Sequence, residues 1–167
     1  LRMANHGLTP SEIAEQLALP PSLAAEWHTR SYYGTLSHNA KAVYQRYLGW
    51  FDGNPANLPN LPPTDAARRY VDLAGGPAAL LAKGREAYDR GEYRWVAELV
   101  NHLVFADPAN AEARGLQADA LEQMGYQAES GPWRAFYLTG AMALRNPRPA
   151  SAQPRQGAAG PLRALPA

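Results

Sequence analysis

Cysteine is missing from this 167-residue chain. Its absence excludes disulfides, thiolate zinc sites and cysteine nucleophiles, although it leaves the cellular compartment open. Charge is also scarce, since charged residues make up 19% of the chain and the formal net charge is +1. So small a net charge gives no electrostatic reason to expect nucleic acid or an anionic membrane as a partner. It also leaves little charge repulsion to oppose self-association.

Long apolar runs are absent as well, because no stretch approaches the roughly 20 residues that a membrane-spanning helix needs. The chain begins with LRMANHG, which lacks the basic end and apolar stretch of a signal peptide and does not start with Met. This beginning is typical of residues in the interior of a helix, not of its first turn. We therefore expect the chain to be a piece of a longer protein.

Histidine occurs four times, but never at a spacing that is typical of a metal site. The four positions are His6, His28, His38 and His102. Helical zinc sites normally place two histidines four residues apart on one helix face, and no such pair is present. We expect this chain to hold no metal cofactor by itself.

Helical periodicity is what the sequence does contain. Residues 9–12, TPSE, form a capping box with proline at the first helical position, and Ser22 is predicted to cap a second short helix. The next helix is expected from His38, capped by Ser37, to about Phe51. Its apolar residues recur at three- and four-residue spacing, which predicts a face buried in the core. They are Val43, Tyr44, Tyr47, Leu48, Trp50 and Phe51.

The remainder of the chain predicts a regular array of helices. After a proline-rich connection over 54–63, Thr64 is expected to cap a helix that is closed by Gly75 and Gly76. Further helices are expected at about 77–90, 92–106, 110–124 and 131–145. The predicted breaks are Arg90-Gly91, Asp107-Pro108 and Met124-Gly125.

This array resembles a tetratricopeptide repeat, because Gly91 and Gly125 lie one repeat length apart. One complete repeat and part of a second one are visible, whereas an array of such repeats needs about three to be stable by itself. We therefore predict an all-α fold over 1–146, a bundle of short helices with a tetratricopeptide-like hairpin region. Residues 147–167 have almost no large apolar side chains and are predicted to be a disordered tail.

Two binding functions are alternatives at this point. Residues 8–27 resemble a helix-turn-helix, whose second helix would enter the major groove of DNA. That helix, over 22–27, has no Arg, Lys, Asn or Gln to read bases, so DNA binding is the less favoured interpretation. The other alternative is a tetratricopeptide-like adaptor that binds peptides in a concave groove.

A long stretch in the first half points to a family. Residues 30–55 read RSYYGTLSHNAKAVYQRYLGWFDGNP, which closely resembles the alkyl sulfatases built on a metallo-β-lactamase domain. The resemblance extends from Leu1 to about Asn146, and the second half is similar to the helical dimerisation domain of that family. It implies the middle part of an enzyme that hydrolyses long-chain primary alkyl sulfates with two zinc ions. The family's His-x-His-x-Asp-His metal motif and its sterol-carrier-like domain are not in this chain.

The resemblance also implies candidate site residues, since the family's Ser-His-Asn turn lies close to the active site. His38 is therefore expected to be catalytic in an intact enzyme, handling the sulfate or the leaving group, because imidazole titrates near neutral pH. Tyr33, Asn39 and Arg46 are weaker candidates for substrate binding. From the residues alone, an ordinary capped helix start remains the alternative.

The expected main partner is a second copy of the chain. We predict a homodimer that buries the apolar faces of the helices at 64–75 and 77–106, with residues 54–63 as an arm around the partner. A metallo-β-lactamase-type catalytic domain is the second expected partner, with neither nucleic acid nor a membrane. The chain alone is expected to be inactive. Its compartment stays open, although members of the family are often periplasmic or secreted.

Overall fold

The computed structural model describes residues 1–147, and all the regular structure in this range is helical, as predicted. The N-terminal region, residues 1–51, contains α1 (Arg2–Asn5), α2 (Pro10–Gln16), α3 (Pro21–Ala24) and α4 (Leu36–Leu48). Residues 63–147, which we call the repeat region because the repeat was predicted there, contain α5 (Pro63–Leu73), α6 (Pro77–Asp89), α7 (Tyr93–Ala106), α8 (Ala111–Gln127) and α9 (Gly131–Arg145). Short 3-10 turns lie at Trp27–Thr29 and Pro55–Asn57.

Two further points concern membrane spanning and the predicted C-terminal tail. None of the helices in residues 1–147 is long and apolar enough to cross a bilayer. The predicted disordered tail lies outside the described residues, apart from Pro147.

The hydrophobic core lies in the repeat region, where α5, α6 and α8 each pack against α7 or against one another. Its largest side chains, Leu80, Val96, Val100 and Leu103, are fully buried. Val71 brings α5 into the same cluster. Burying one such aliphatic side chain stabilises the fold by about 1.5–3 kcal/mol, so this region has the apolar burial to fold around its own core.

Two glycines allow the helices of the repeat region to approach closely. A Cβ atom on Gly84 would lie 2.8 Å from Val100 Cγ2, and one on Gly125 would lie 2.7 Å from Leu138 Cδ2. The predicted helix break at Met124-Gly125 is therefore wrong: α8 continues to Gln127, and Gly125 makes room for α9 instead of forming a turn. Gly91 does end α6, with a φ of +76° that favours glycine.

The capping box at the start of α2 is confirmed. The Thr9 hydroxyl accepts the Glu12 N–H at 3.3 Å, and the Glu12 carboxylate accepts the Thr9 N–H at 2.8 Å. This backbone hydrogen bond from Thr9 holds the pKa of Glu12 below its usual value. The box satisfies N–H groups that the first turn of a helix would otherwise leave unpaired.

Three other predicted N-caps are wrong: Ser22, Ser37 and Thr64. Helices α3 and α5 already begin at Pro21 and Pro63, one residue before the predicted caps, because the fixed φ of proline suits the first helical position. Helix α4 begins at Leu36, because the Thr35 hydroxyl accepts the His38 N–H at 2.9 Å. At four residues, α3 is also too short for the recognition helix of the helix-turn-helix interpretation.

The predicted core face of α4 is also largely wrong. Only Tyr44 of the apolar set is buried, where α4 packs on α2, whereas Tyr47 and Trp50 are 66% and 70% exposed. The cause is a lack of partners, because the small helix α2 can cover only one narrow side of α4. Helix α4 ends at Leu48, since Gly49 has a φ of +86°.

Candidate functional site

The candidate site is built on the loop that leads into α4. Thr35 restrains the end of this loop with two hydrogen bonds. The Thr35 hydroxyl accepts the His38 N–H, and the Thr35 carbonyl accepts the Asn39 N–H at 2.9 Å. The Asn39 amide folds back over Gly34, where an added Cβ would lie only 3.1 Å from Asn39 Oδ1. The helix start therefore holds His38 and Asn39 next to the loop that carries Tyr33.

The same loop is tied to the turn between α8 and α9. The Tyr32 carbonyl accepts the Gly131 N–H at 2.8 Å, and the Tyr33 carbonyl accepts the Ser130 hydroxyl at 2.5 Å. Arg30 pairs with Glu129 at 2.5 Å beside them. These contacts join the N-terminal region to the repeat region at the candidate site.

A cleft of about 1250 Å³ lies between the two regions. The start of α4 contributes Thr35, Ser37 and Lys41 to its lining, and the opposite wall comes from α7, α8 and α9. Glu15 of α2 reaches across to Arg94 of α7 at 2.7 Å, and this hydrogen bond raises the pKa of Arg94.

The walls of the cleft in the repeat region carry polar and aromatic side chains. Gln117 is buried there, and its Nε2 donates to Asn101 Oδ1 at 3.1 Å, while its Oε1 has no partner among residues 1–147. Burial raises the pKa of Tyr137. The cleft therefore offers hydrogen-bonding groups as well as the rings of Trp133 and Tyr137.

Three of the four predicted site residues are close neighbours along the chain, and none of the four is among the residues that line the cleft. Tyr33, His38 and Asn39 share the loop and the first turn of α4, and all three are exposed. Arg46 lies at the other end of α4, about 12 Å further along the helix axis at 1.5 Å per residue. Ser130 was missed, because a serine before Gly-Pro indicates only a helix cap, and its contact with Tyr33 spans 97 residues of sequence.

The residues described here do not fit the zinc ions that the resemblance implies. Within residues 1–147, no three His, Asp or Glu side chains lie close enough together to hold a metal ion.

Comparison with known proteins identifies the family. Residues 9–147, which include α2 to α9, match the model of the alkyl sulfatase dimerisation family, and the chain belongs to that family. A linear primary-alkylsulfatase from Pseudomonas sp. is 60% identical over 159 residues, which cover 92% of this chain and 24% of that protein. An alkyl/aryl-sulfatase from Saccharomyces cerevisiae is 60% identical over 145 residues, which cover 87% and 22%.

A solved structure shows the same architecture. This chain superposes on a stereoselective inverting sec-alkylsulfatase from Pseudomonas sp. with a TM-score of 0.86 and 57% identity, over 89% of this chain and 24% of that one. The predicted resemblance to alkyl sulfatases is confirmed. The chain spans about a quarter of the length of the curated relatives it matches.

Proposed function

We propose that this chain is the self-association module of an alkyl sulfatase and that two copies of it pair to form a homodimer. The observation that carries the proposal is the match of residues 9–147 to the dimerisation domain of that family. Large apolar side chains on the surface support it, because pairing of two copies would remove them from water.

The pairing surface is assigned to the outer side of α5 and its neighbours. The inner side of α5 is already used, because Ala67 and Val71 are buried within the chain's own core. Six large apolar side chains are exposed on the proline-rich arm, α5 and α7, and one of them, Trp95, lines the cleft. We call the other five the arm–α5 surface: Leu58, Leu61, Tyr70, Leu73 and Phe105. The Tyr70 ring packs on the His102 ring with the centroids 4.5 Å apart, and this contact restrains the Tyr70 side chain on the surface.

An isologous interface buries each contributing side chain twice. Leu73 is 82% exposed, so Leu73→Asp should leave the monomer folded while it removes two apolar contacts per dimer. At about 1.5 kcal/mol or more for each side chain, the dimer dissociation constant should rise by about 100-fold or more. Sedimentation equilibrium at micromolar protein measures this change.

The matched control is Val43→Asp, which places the same charge on the exposed side of α4. We expect a wild-type dimer, a Leu73→Asp monomer and a Val43→Asp dimer. A monomeric wild type would contradict self-association of this chain. Dissociation by Val43→Asp but not by Leu73→Asp would instead contradict the assignment to the arm–α5 surface.

We also infer a second role, in which the start of α4 completes the substrate site of a metallo-β-lactamase-type catalytic domain. In the intact enzyme His38 would donate a hydrogen bond to a sulfate oxygen or protonate the leaving alkoxide, with Tyr33, Asn39 and Arg46 as substrate-binding residues. The support is their shared exposure, the proximity of Tyr33, His38 and Asn39, and the sulfatase relatives. An imidazole ring can donate an N–H to an oxyanion or transfer a proton, as these roles require.

The test mixes this chain with a separately produced metal domain of a relative, adds zinc and follows the hydrolysis of dodecyl sulfate. The chain alone should show no turnover. His38→Gln should lower the turnover of the mixture by about 100-fold, the lower range for general acid–base catalysis. His28→Gln is the control, because His28 is also exposed but lies outside the first turn of α4. Turnover by the pure chain, or equal turnover in both variants, would refute this role.

A further inference from the structure

We infer that Ser130 is a positioning residue for the candidate site, an inference that rests on the proposed role of Tyr33 and His38. The Ser130 side chain is 2% exposed. Its hydroxyl donates to the Tyr33 carbonyl at 2.5 Å and accepts the Trp133 N–H at 3.4 Å. One hydroxyl thus caps α9 and also holds the backbone of the site loop.

The hydrogen bond fixes the backbone of Tyr33 and leaves its side chain available. The adjacent Tyr32 carbonyl accepts the Gly131 N–H, so two consecutive carbonyls of the loop are held by two consecutive residues of the turn. The Tyr33 side chain remains 82% exposed. Because the backbone of Tyr33 is already held, only its side chain has to be ordered when the phenol contacts a ligand.

The restraint continues from Tyr33 to His38 along the chain. Only Gly34 separates the anchored Tyr33 from Thr35, and Thr35 holds the His38 N–H. The other side-chain links between the two regions, Glu15 with Arg94 and Arg30 with Glu129, are ion pairs between exposed side chains. Exposed ion pairs restrain a structure weakly, whereas a buried hydroxyl that loses its partner has no water to replace it.

The first test is amide hydrogen exchange of the full 167-residue chain. Ser130→Ala should make the hydrogen-bonded amides within residues 31–39, those of Tyr32, His38 and Asn39, exchange about tenfold faster, which corresponds to the loss of one buried hydrogen bond. The amides of α6 and α7 should keep their wild-type rates. Ser130→Thr retains the hydroxyl and should restore slow exchange, and Ser11→Ala is the control at an exposed serine of the same cleft.

A purely structural role predicts a different pattern. If Ser130 served only as the cap of α9, Ser130→Ala would speed exchange in the first turn of α9 and leave residues 31–39 unchanged. That pattern, or a uniform acceleration in all helices, would overturn the inference.

The second test uses inorganic sulfate as the probe and follows the His38 ring protons by NMR. Wild type and Ser130→Thr should show a sulfate-dependent shift, and Ser130→Ala should need about fivefold more sulfate for half of that shift, within the effect of one lost hydrogen bond. Equal titrations of wild type and Ser130→Ala would overturn the positioning role. If wild-type His38 does not respond to sulfate, the proposed substrate role fails, and the exchange data alone then decide whether Ser130 holds the loop.

Discussion

The N-terminal region and the repeat region differ in how much apolar surface each buries within the chain. In the repeat region Leu80 and Leu103 have no exposed surface, whereas in the N-terminal region Trp27 and Trp50 are largely exposed. The repeat region therefore folds around its own core. The N-terminal region exposes large apolar side chains. Such exposure is typical of a surface that becomes covered when a larger assembly forms.

The largest expected effect tests this difference with one substitution in each region. Leu103→Ala should destabilise the chain by about 2–5 kcal/mol, because it leaves a cavity in a fully buried site. Leu48→Ala should cost less than about 1 kcal/mol, since that side chain is 49% exposed in the isolated chain. Urea unfolding followed by circular dichroism measures both. Similar losses in the two variants would remove the contrast between the regions.

An intermediate effect is expected from two glycines of the repeat region. Gly84→Ala should cost about 1–3 kcal/mol, because the new Cβ would overlap Val100, whose branched side chain is stiff at χ1. Gly115→Ala is the matched control, because a Cβ there would meet no atom within 4 Å. Alanine is the better helix former, so this control should gain up to about 1 kcal/mol. Thermal unfolding compares them, and equal melting temperatures would show that close packing at Gly84 is unimportant.

The smallest expected effect is a loss of folding stability at acidic pH. Arg145 pairs with Glu122 at 2.8 Å and with Asp119 at 2.7 Å, and its hydrogen bond holds the pKa of Glu122 below the usual 4.5. A carboxyl whose pKa is lower when folded stabilises the fold above its unfolded pKa, and this contribution is lost as pH falls through the folded value.

Stability should therefore decline as pH falls below about 4.5, and Glu122→Gln should make this decline shallower. The effect is small, because the pair is open to solvent. Urea unfolding at a series of pH values from 6 down to about 3 measures the decline. A slope that is the same with and without Glu122 would show that the pair contributes nothing measurable.

Some local signals could be predicted from the sequence, although three of the predicted N-caps were wrong, and contacts between distant residues could not be predicted. The capping box at Thr9 and the turn at Gly91 depend on neighbouring residues, so both were predicted correctly. The exposure of Tyr47 could not be predicted, because three- and four-residue spacing shows that a helix has an apolar side but not whether this chain supplies a cover. The same limit applies to the candidate site, where the contact between Ser130 and Tyr33 has no local sequence signature.

The turn between α8 and α9 has a consequence for how sequences of this kind can vary. Surface turns usually tolerate insertions and deletions. Here consecutive residues of a turn form hydrogen bonds with consecutive carbonyls of a loop that lies 97 residues earlier. An insertion beside Ser130 would shift one set of partners relative to the other, so the length of this turn should be fixed wherever the site loop is retained.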